Sequence, residues 1–323
     1  MSQPTFSFTT TAQEVATVFA KEIQGKNVLI TGTSVNGIGF ETARVLAKHA
    51  NLIIITGHNS ERLKIAEDTI KREIPSANIR PLILDLSSLA AVRKAAAEVN
   101  AFPEPLHVLI HNAAATIGPF KLTADNLENQ AATNHIGPFL LTKLLSAKLL
   151  AARTAHCTPR VVFVSAKGHI FCNGVNLTTL ERPDPGSHES MDAYFQTKVA
   201  NILTGIELSK RSKGQINAYS LHPGIILTNI MHKGDVVAGL KKLEIMDEDG
   251  RPSDKKYPWK TIPQGAATTV AAAFDPSLND KPGAYLDDCV EANDTISPHA
   301  SDSGNAERLW SLTERLIGES FTF

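Results

Sequence analysis

The strongest constraint on this chain is a regular alternation. Short β-branched and aliphatic runs at 27–30, 52–55, 79–84, 107–110, 161–164, 217–220 and 283–286 are separated by longer stretches with helical spacing, such as 41–49, 60–73, 90–99, 140–152 and 193–211. Several runs are apolar throughout, as strands covered on both faces are, rather than alternating polar and apolar. Strands that alternate with helices pair in parallel, because each right-handed crossover returns its helix to a face of the same sheet.

The expected fold class is therefore α/β: a doubly wound parallel sheet of the Rossmann type, in three α/β/α layers. Ligands of such sheets bind beyond the C-terminal ends of the strands. No internal repeat or low-complexity linker interrupts the 323 residues. One domain is expected over 25–323, preceded by a helical extension within 1–24 whose helical spacing covers 12–21. Two segments break the rhythm. Residues 171–192, rich in Pro, Gly and charge, are expected to form a long loop. Residues 229–259 end in the polar run 247–257 and are expected to form a substrate lid near 229–260; a plain surface insertion is the alternative.

Composition removes several classes of function. Net charge is −1 at pH 7, which gives no global field for nucleic acid or anionic lipid, and pairs such as Lys241-Lys242 and Lys255-Lys256 are short. Cys157, Cys172 and Cys289 are few and widely spaced, without metal-ligand spacing, so no metal is expected and reduced thiols in a cytoplasmic protein fit best. The start Met1-Ser2-Gln3-Pro4 lacks a basic or apolar signal region, and no apolar run approaches the roughly 20 residues of a membrane span. A soluble, unprocessed protein that acts on a small molecule is the expectation.

The first strand runs into Thr31-Gly32-Thr33-Ser34-Val35-Asn36-Gly37-Ile38-Gly39, and a helix follows. Glycines let a backbone approach a pyrophosphate, and the helix N-terminus presents free N–H groups with partial positive charge. The second strand ends at Thr56-Gly57-His58-Asn59 with no acidic residue to hold a ribose 2′-hydroxyl. His58, Asn59 and Arg62 can instead meet a 2′-phosphate, which favours NADP(H) over NAD(H); an ordinary loop histidine beside an exposed arginine is the bland alternative. Further along, Tyr194 and Lys198 stand four apart on a helical stretch and so share a face. A nearby ammonium stabilises a phenolate and lowers the phenol pKa from about 10, which would make Tyr194 an acid/base group.

In their order, these motifs resemble the short-chain dehydrogenase/reductase family over roughly 25–290. The resemblance rests on Thr31-Gly32 through Gly37-Ile38-Gly39, Asp85-Leu86 after strand 3, His111-Asn112-Ala113-Ala114 after strand 4, Asn134-His135-Ile136-Gly137, Tyr194 with Lys198, and Pro223-Gly224 with Thr228. His222-Pro223-Gly224 and Pro263-Gln264-Gly265-Ala266-Ala267 are most similar to the retinol-dehydrogenase-like and fungal subgroup. The resemblance implies an oxidoreductase acting on CH–OH, with Tyr194 as acid/base and Lys198 lowering its pKa and holding the nicotinamide ribose. Asn134 would hold a water that links Lys198 to solvent. Gly32, Thr33, Gly37, Ile38, Gly39, Asp85, Leu86, Asn112, Ala113, Pro223, Gly224, Ile226 and Thr228 would line the cofactor. A homodimer or homotetramer through the fourth and fifth helices is also implied.

The sequence departs from the subgroup at one important point. Strand 5 runs into Ser165-Ala166-Lys167, where the subgroup has two serines and the second is catalytic; here Ala166 stands in its place. Loss of one such donor costs roughly 10²–10³ in rate. A one-residue shift would bring Ser165 into the role, although successive strand residues face opposite ways. His169, Ser34 or a substrate hydroxyl are alternatives, as is a reaction that depends less on the serine. The cofactor turn is one residue longer than usual, and Ala114 replaces a glycine. His135 and His222 are expected in the core, Trp259 and Trp310 in lid and C-terminal packing, and Phe195 either in the pocket or in the helix interior. Ile225, Ile226, Leu227, Ile230 and Met231 suggest an apolar substrate. A non-redox isomerase, dehydratase or cyclase on this fold, and an NADP(H)-binding sensor or scaffold, are the rival readings.

Overall fold

The computed structural model describes residues 5–228 and 234–323. In chain order, α1 (Ala12–Val18) and α2 (Ala20–Ile23) lead into β1 (Asn27–Ile30), α3 (Ile38–Leu46), β2 (Leu52–Gly57), α4 (Ser60–Glu73), β3 (Ile79–Ile83), α5 (Leu89–Ala101) and β4 (Val108–His111). Then come α6 (Asn129–Ala131), a π-helical turn over Ala132–Ile136, α7 (Gly137–Leu150), β5 (Arg160–Val164), α8 (Leu177–Glu181), α9 (Ser190–Arg211) and β6 (Asn217–Leu221). The chain continues through β7 (Ile225–Ile226), α10 (Gly234–Lys242), β8 (Trp259–Lys260), α11 (Ile262–Phe274), β9 (Tyr285–Asp287), β10 (Val290–Glu291), α12 (Pro298–Ser301) and α13 (Ser303–Ile317).

The main sheet has the order β10-β9-β6-β5-β4-β1-β2-β3. All its pairings are parallel except β10 on β9. Strand order reverses beside β1, so the crevice for a ligand opens at the C-terminal ends of β1 and β4. The continuously apolar runs follow from helices on both faces. Leu29 and Ile54 pack with Val99 of α5, Leu145 of α7 and Leu203 of α9, whereas Val28, Ile30, Ile53 and Ile55 pack with Leu46 of α3 and Val270 of α11. Neighbouring strand residues thus enter opposite cores, and each must be apolar.

Where sequence and structure differ, side-chain packing is the cause. The expected helix over 12–21 divides into α1 and α2 at Phe19, which leaves helical dihedrals and turns its ring edge-on to Phe6. The expected loop over 171–192 contains α8, whose first-turn N–H groups donate to the Asn176 side chain, and the first turn of α9. The 229–259 segment is partly regular. Residues Asn229, Ile230 and Met231 lie outside the described residues, but α10 follows, and β8 pairs with β7 in a small parallel sheet. Val236, Leu240, Ile245 and Met246 form a separate apolar cluster there, with Trp259 packed against it.

At the other end of the chain, α13 packs on α9 and on the π-helical turn. Trp310 is buried between Phe139 of α7 and Phe321, and Thr313 Oγ1 lies 2.8 Å from His135 Nε2. This chain's own C-terminal helix therefore occupies part of the surface of the fourth and fifth sheet-packing helices, α7 and α9. Any oligomer built on that part would have to displace α13. Among the described residues, no helix is long and apolar enough to cross a membrane.

Candidate active site

The glycine turn is built against the end of β4. Thr31 Oγ1 accepts hydrogen bonds from the backbone N–H groups of Asn112 and Ala113, each at 3.0 Å. The Asn112 side-chain amide donates at 2.9 Å to the carbonyls of both Thr31 and Gly32. Gly32 has φ +73°, and a Cβ there would lie 2.8 Å from Ala113 Cα; a Cβ on Gly39 would strike the Asn112 amide. Both glycines are thus needed by the fold itself, and the same close approach leaves a low cradle at the strand ends. Gly37 caps α3 without a side chain, so the first-turn N–H groups of Ile38 and its neighbours are left for a ligand.

Other candidate cofactor residues lie along this sheet edge, several with structural duties. Thr33 is buried and donates to the Thr56 carbonyl. His58, Asn59 and Arg62 are exposed at the end of β2, where Asn59 Oδ1 caps α4 by accepting from Arg62 N–H. The Asp85 carboxylate accepts from Ser87 N–H and Oγ, and Leu86 is buried with its carbonyl against Gly137. Pro223 and Thr228 are buried after β6, and Gly224 meets the Lys260 side chain. Ile226 is buried against Gly265.

Tyr194 and Lys198 lie one turn apart on α9. Lys198 is buried, donates from Nζ to the Val164 carbonyl at 2.9 Å, and sits 5.3 Å from the centre of the Tyr194 ring. Burial pulls the Lys198 pKa down to about 8 and pushes that of Tyr194 up to about 12. This corrects the sequence expectation of a lowered phenol pKa: in this site desolvation outweighs the ammonium, which is held on a strand carbonyl.

The π-helical turn holds Asn134. Pro138 has no N–H, so the Asn134 carbonyl lacks its i+4 donor, and a π-turn is one way for a helix to absorb such a gap. The Asn134 side-chain amide uses both of its N–H donors within the protein. Its Oδ1 accepts from Ala115 N–H at 2.7 Å, while Nδ2 donates to the Ala115 carbonyl and to Thr197 Oγ1. Thr197 in turn donates to the Tyr194 carbonyl. The Asn134 backbone carbonyl, which lacks an i+4 donor, is an acceptor that a water could use.

Ser165 requires a correction. Its buried hydroxyl donates to the Lys198 carbonyl at 2.7 Å, while Ala166 stands on the wall of the cavity beside Tyr194. The one-residue shift does not occur, because the strand end keeps its alternation of faces. His169 does not replace it either: it is fully buried, with Nδ1 3.2 Å from Ser297 Oγ and its ring edge-on to Tyr285.

The cavity measures about 370 Å³. Tyr194, Phe195, Met191, Ile117 and Phe171 form one side, and Leu240, Leu243, Ile245 and Tyr257 another. α10 and the residues after it add Val236 and Pro258 to this second side; of the apolar run after β6, Ile225 reaches the wall, while Ile226 packs elsewhere and Leu227 is exposed. A polar end carries Lys167, His222, Lys260, Asp287 and Asp288. Lys260 is buried and ion-paired with Asp288, and Phe8 of the N-terminal extension lies over its Nζ. Lys167 Nζ is 3.6 Å from Asp287, and His222 Nδ1 accepts from Lys167 N–H. Sequence reasoning missed Phe8, Thr116, Lys260 and Asp288, none of which stands within a motif.

Known proteins resemble this chain in sequence and in fold. The profile of the family described as short chain dehydrogenase matches residues 26–170. Over 313 residues the chain is 36% identical to "Short-chain dehydrogenase TIC 32 A, chloroplastic" of Brassica napus, covering 95% of this chain and 92% of that protein. Among solved structures, one of an uncharacterized protein from Mycobacterium Paratuberculosis superposes with TM-score 0.68 and 27% identity, covering 94% of this chain and 98% of that one. The NADPH-bound carbonyl reductase from chicken fatty liver superposes with TM-score 0.58 over 81% of this chain and 96% of its own; at 19% identity this is a likeness of fold.

Proposed function

The chain belongs to the short-chain dehydrogenase/reductase family, and from that premise we propose that it is an NADP(H)-dependent oxidoreductase interconverting an alcohol and a ketone or aldehyde on a largely apolar small molecule. One observation carries the proposal: Tyr194 stands on the wall of an apolar cavity, one helical turn from buried Lys198, in a fold whose glycine turn leaves a cradle at the C-terminal end of β1. The bound nicotinamide would supply or accept the hydride at the substrate carbon. The Tyr194 hydroxyl gives its proton to the substrate oxygen in reduction and takes it back in oxidation. Lys198, with a pKa of about 8, remains mostly cationic at pH 7 and offsets the charge of the phenolate as it forms. The segment of α10 and residues 243–258 acts as the lid, lining the cavity with apolar side chains and excluding water.

The preference for NADP(H) rests on His58 and Arg62, exposed after β2, and on the lack of a carboxylate among residues 56–59. Titration of the purified protein with NADPH and NADH tests it. NADPH should bind more tightly, and Arg62→Glu should narrow the gap. Equal affinities would remove the preference and leave the hydride chemistry standing, while failure to bind either would remove the oxidoreductase proposal. Ala166 favours a second reading, a non-redox reaction using Tyr194 as acid, in which product forms without net consumption of NADPH. The free cysteines suit a reducing compartment, and we place the protein in the cytoplasm; co-fractionation with an organelle marker would overturn that.

A further inference from the structure

A carbonyl oxygen that becomes an alkoxide can accept more than one hydrogen bond, and Tyr194 supplies one. Ala166 supplies none, and Ser165 is turned away onto the Lys198 carbonyl. Among the described residues, the side-chain hydroxyls on the cavity wall belong to Tyr194, Tyr257 and Thr116. Tyr257 belongs to the lid segment and packs with the α10 cluster.

Thr116 is pinned to the helix that bears Tyr194 from both sides. The preceding residue, Ala115, is held through its N–H and carbonyl by the Asn134 side chain, which also bonds Thr197 on α9. Two residues later, Gly118 N–H donates at 2.8 Å to Ser190 Oγ, at the first position of α9. Between these anchors Thr116 is half-buried on the cavity wall, and its hydroxyl has no partner among the described residues. A hydroxyl carried by a wall residue, held between two anchored neighbours and unused within the protein, is available to a ligand.

We propose that Thr116 supplies the second catalytic hydroxyl, donating a hydrogen bond to the substrate oxygen that receives the Tyr194 proton. This rests on the oxidoreductase reading above. In reduction, hydride from NADPH bonds to the carbonyl carbon and the π pair of the C=O moves onto oxygen. That oxygen takes the proton of the Tyr194 hydroxyl, whose phenolate is reprotonated from solvent. Thr116 keeps its own proton throughout and lowers the energy of the developing charge. The neighbouring Ile117 packs against the Val236–Leu240 cluster, so the position of the lid bears directly on this hydroxyl.

The test is steady-state reduction of phenanthrenequinone and nitrobenzaldehyde by NADPH, together with NADPH binding. Thr116→Val should lower kcat by about 10²-fold with little change in NADPH affinity. Thr116→Ser should stay within a few-fold of wild type. Adding Ala166→Ser to Thr116→Val should recover much of the rate, because it returns a hydroxyl to the wall beside Tyr194. Wild-type kcat in Thr116→Val would overturn the assignment, as would equal losses in the Val and Ser variants without recovery in the double variant. A wild-type protein that binds NADPH but reduces neither probe would count against the oxidoreductase reading itself, and the role of Thr116 would fall with it.

Discussion

At the scale of single residues, the electrostatics of α9 set a pH window. Lys198 has its folded pKa drawn down to about 8 by burial, while Tyr194 is pushed up to about 12 and stays protonated through the neutral range. Reduction needs a protonated Tyr194 beside a cationic Lys198. Its kcat/KM, measured from pH 6 to 10, should therefore be flat at neutral pH and fall above about 8, as the ammonium loses its proton. Lys198→Arg, which keeps its charge, should move that break upward. A profile still flat at pH 10 would show that the charge of Lys198 is not needed. Tyr194 and Lys198 could be singled out in the sequence by their four-residue spacing on a helix, and Asn134 through the family resemblance. Thr116 could not, because its role depends on what the neighbouring strand end lacks.

At the scale of elements, local chemistry explains most boundaries. The helix over 60–73 runs over the expected residues because Asn59 caps its start, and the capping boxes Thr11/Glu14 and Thr261/Gln264 open α1 and α11. Elements that depend on distant partners were not legible. The pairing of β7 with β8 joins residues more than thirty apart in sequence, and the break at Phe19 follows from a contact with Phe6. The glycine turn shows how an element can serve fold and ligand together. Gly39→Ala would push the Asn112 amide off the Thr31 and Gly32 carbonyls, so it should destabilise the protein by about 1–3 kcal/mol and weaken NADPH binding together. Thermal unfolding with and without NADPH separates the two effects, and a variant as stable as wild type would show that the turn can relax.

At the scale of the whole molecule, burial of neutral histidines shapes acid stability. His111 sits between Thr142 and the Phe163 ring with its folded pKa depressed to about 3, and His135, bonded to Thr313, is at about 4. Both titrate near 6.5 in the unfolded chain, so below that pH the unfolded state binds the extra protons. Their contribution to stability is complete above about 6.5 and falls away at lower pH, down to about 4 for His135 and about 3 for His111. The unfolding midpoint should drop between pH 7 and 5, and His135→Gln should lessen the slope; an unchanged slope would place the acid sensitivity elsewhere.

The sequence by itself determined the class of sheet and the order of its main strands and helices, and it put forward the α9 pair and the glycine turn as candidate site residues. These follow from period, capping and motif spacing, which are local properties of a chain. Only the tertiary structure decided which side chains share the cavity: Ala166 faces it and Ser165 does not, Phe8 reaches it from the N-terminal extension, and Lys260 pairs with Asp288 at its polar end. It also decided that α13 would cover part of α7 and α9. Such contacts join residues far apart in sequence, and no local pattern encodes the face a side chain finds when the sheet closes over it.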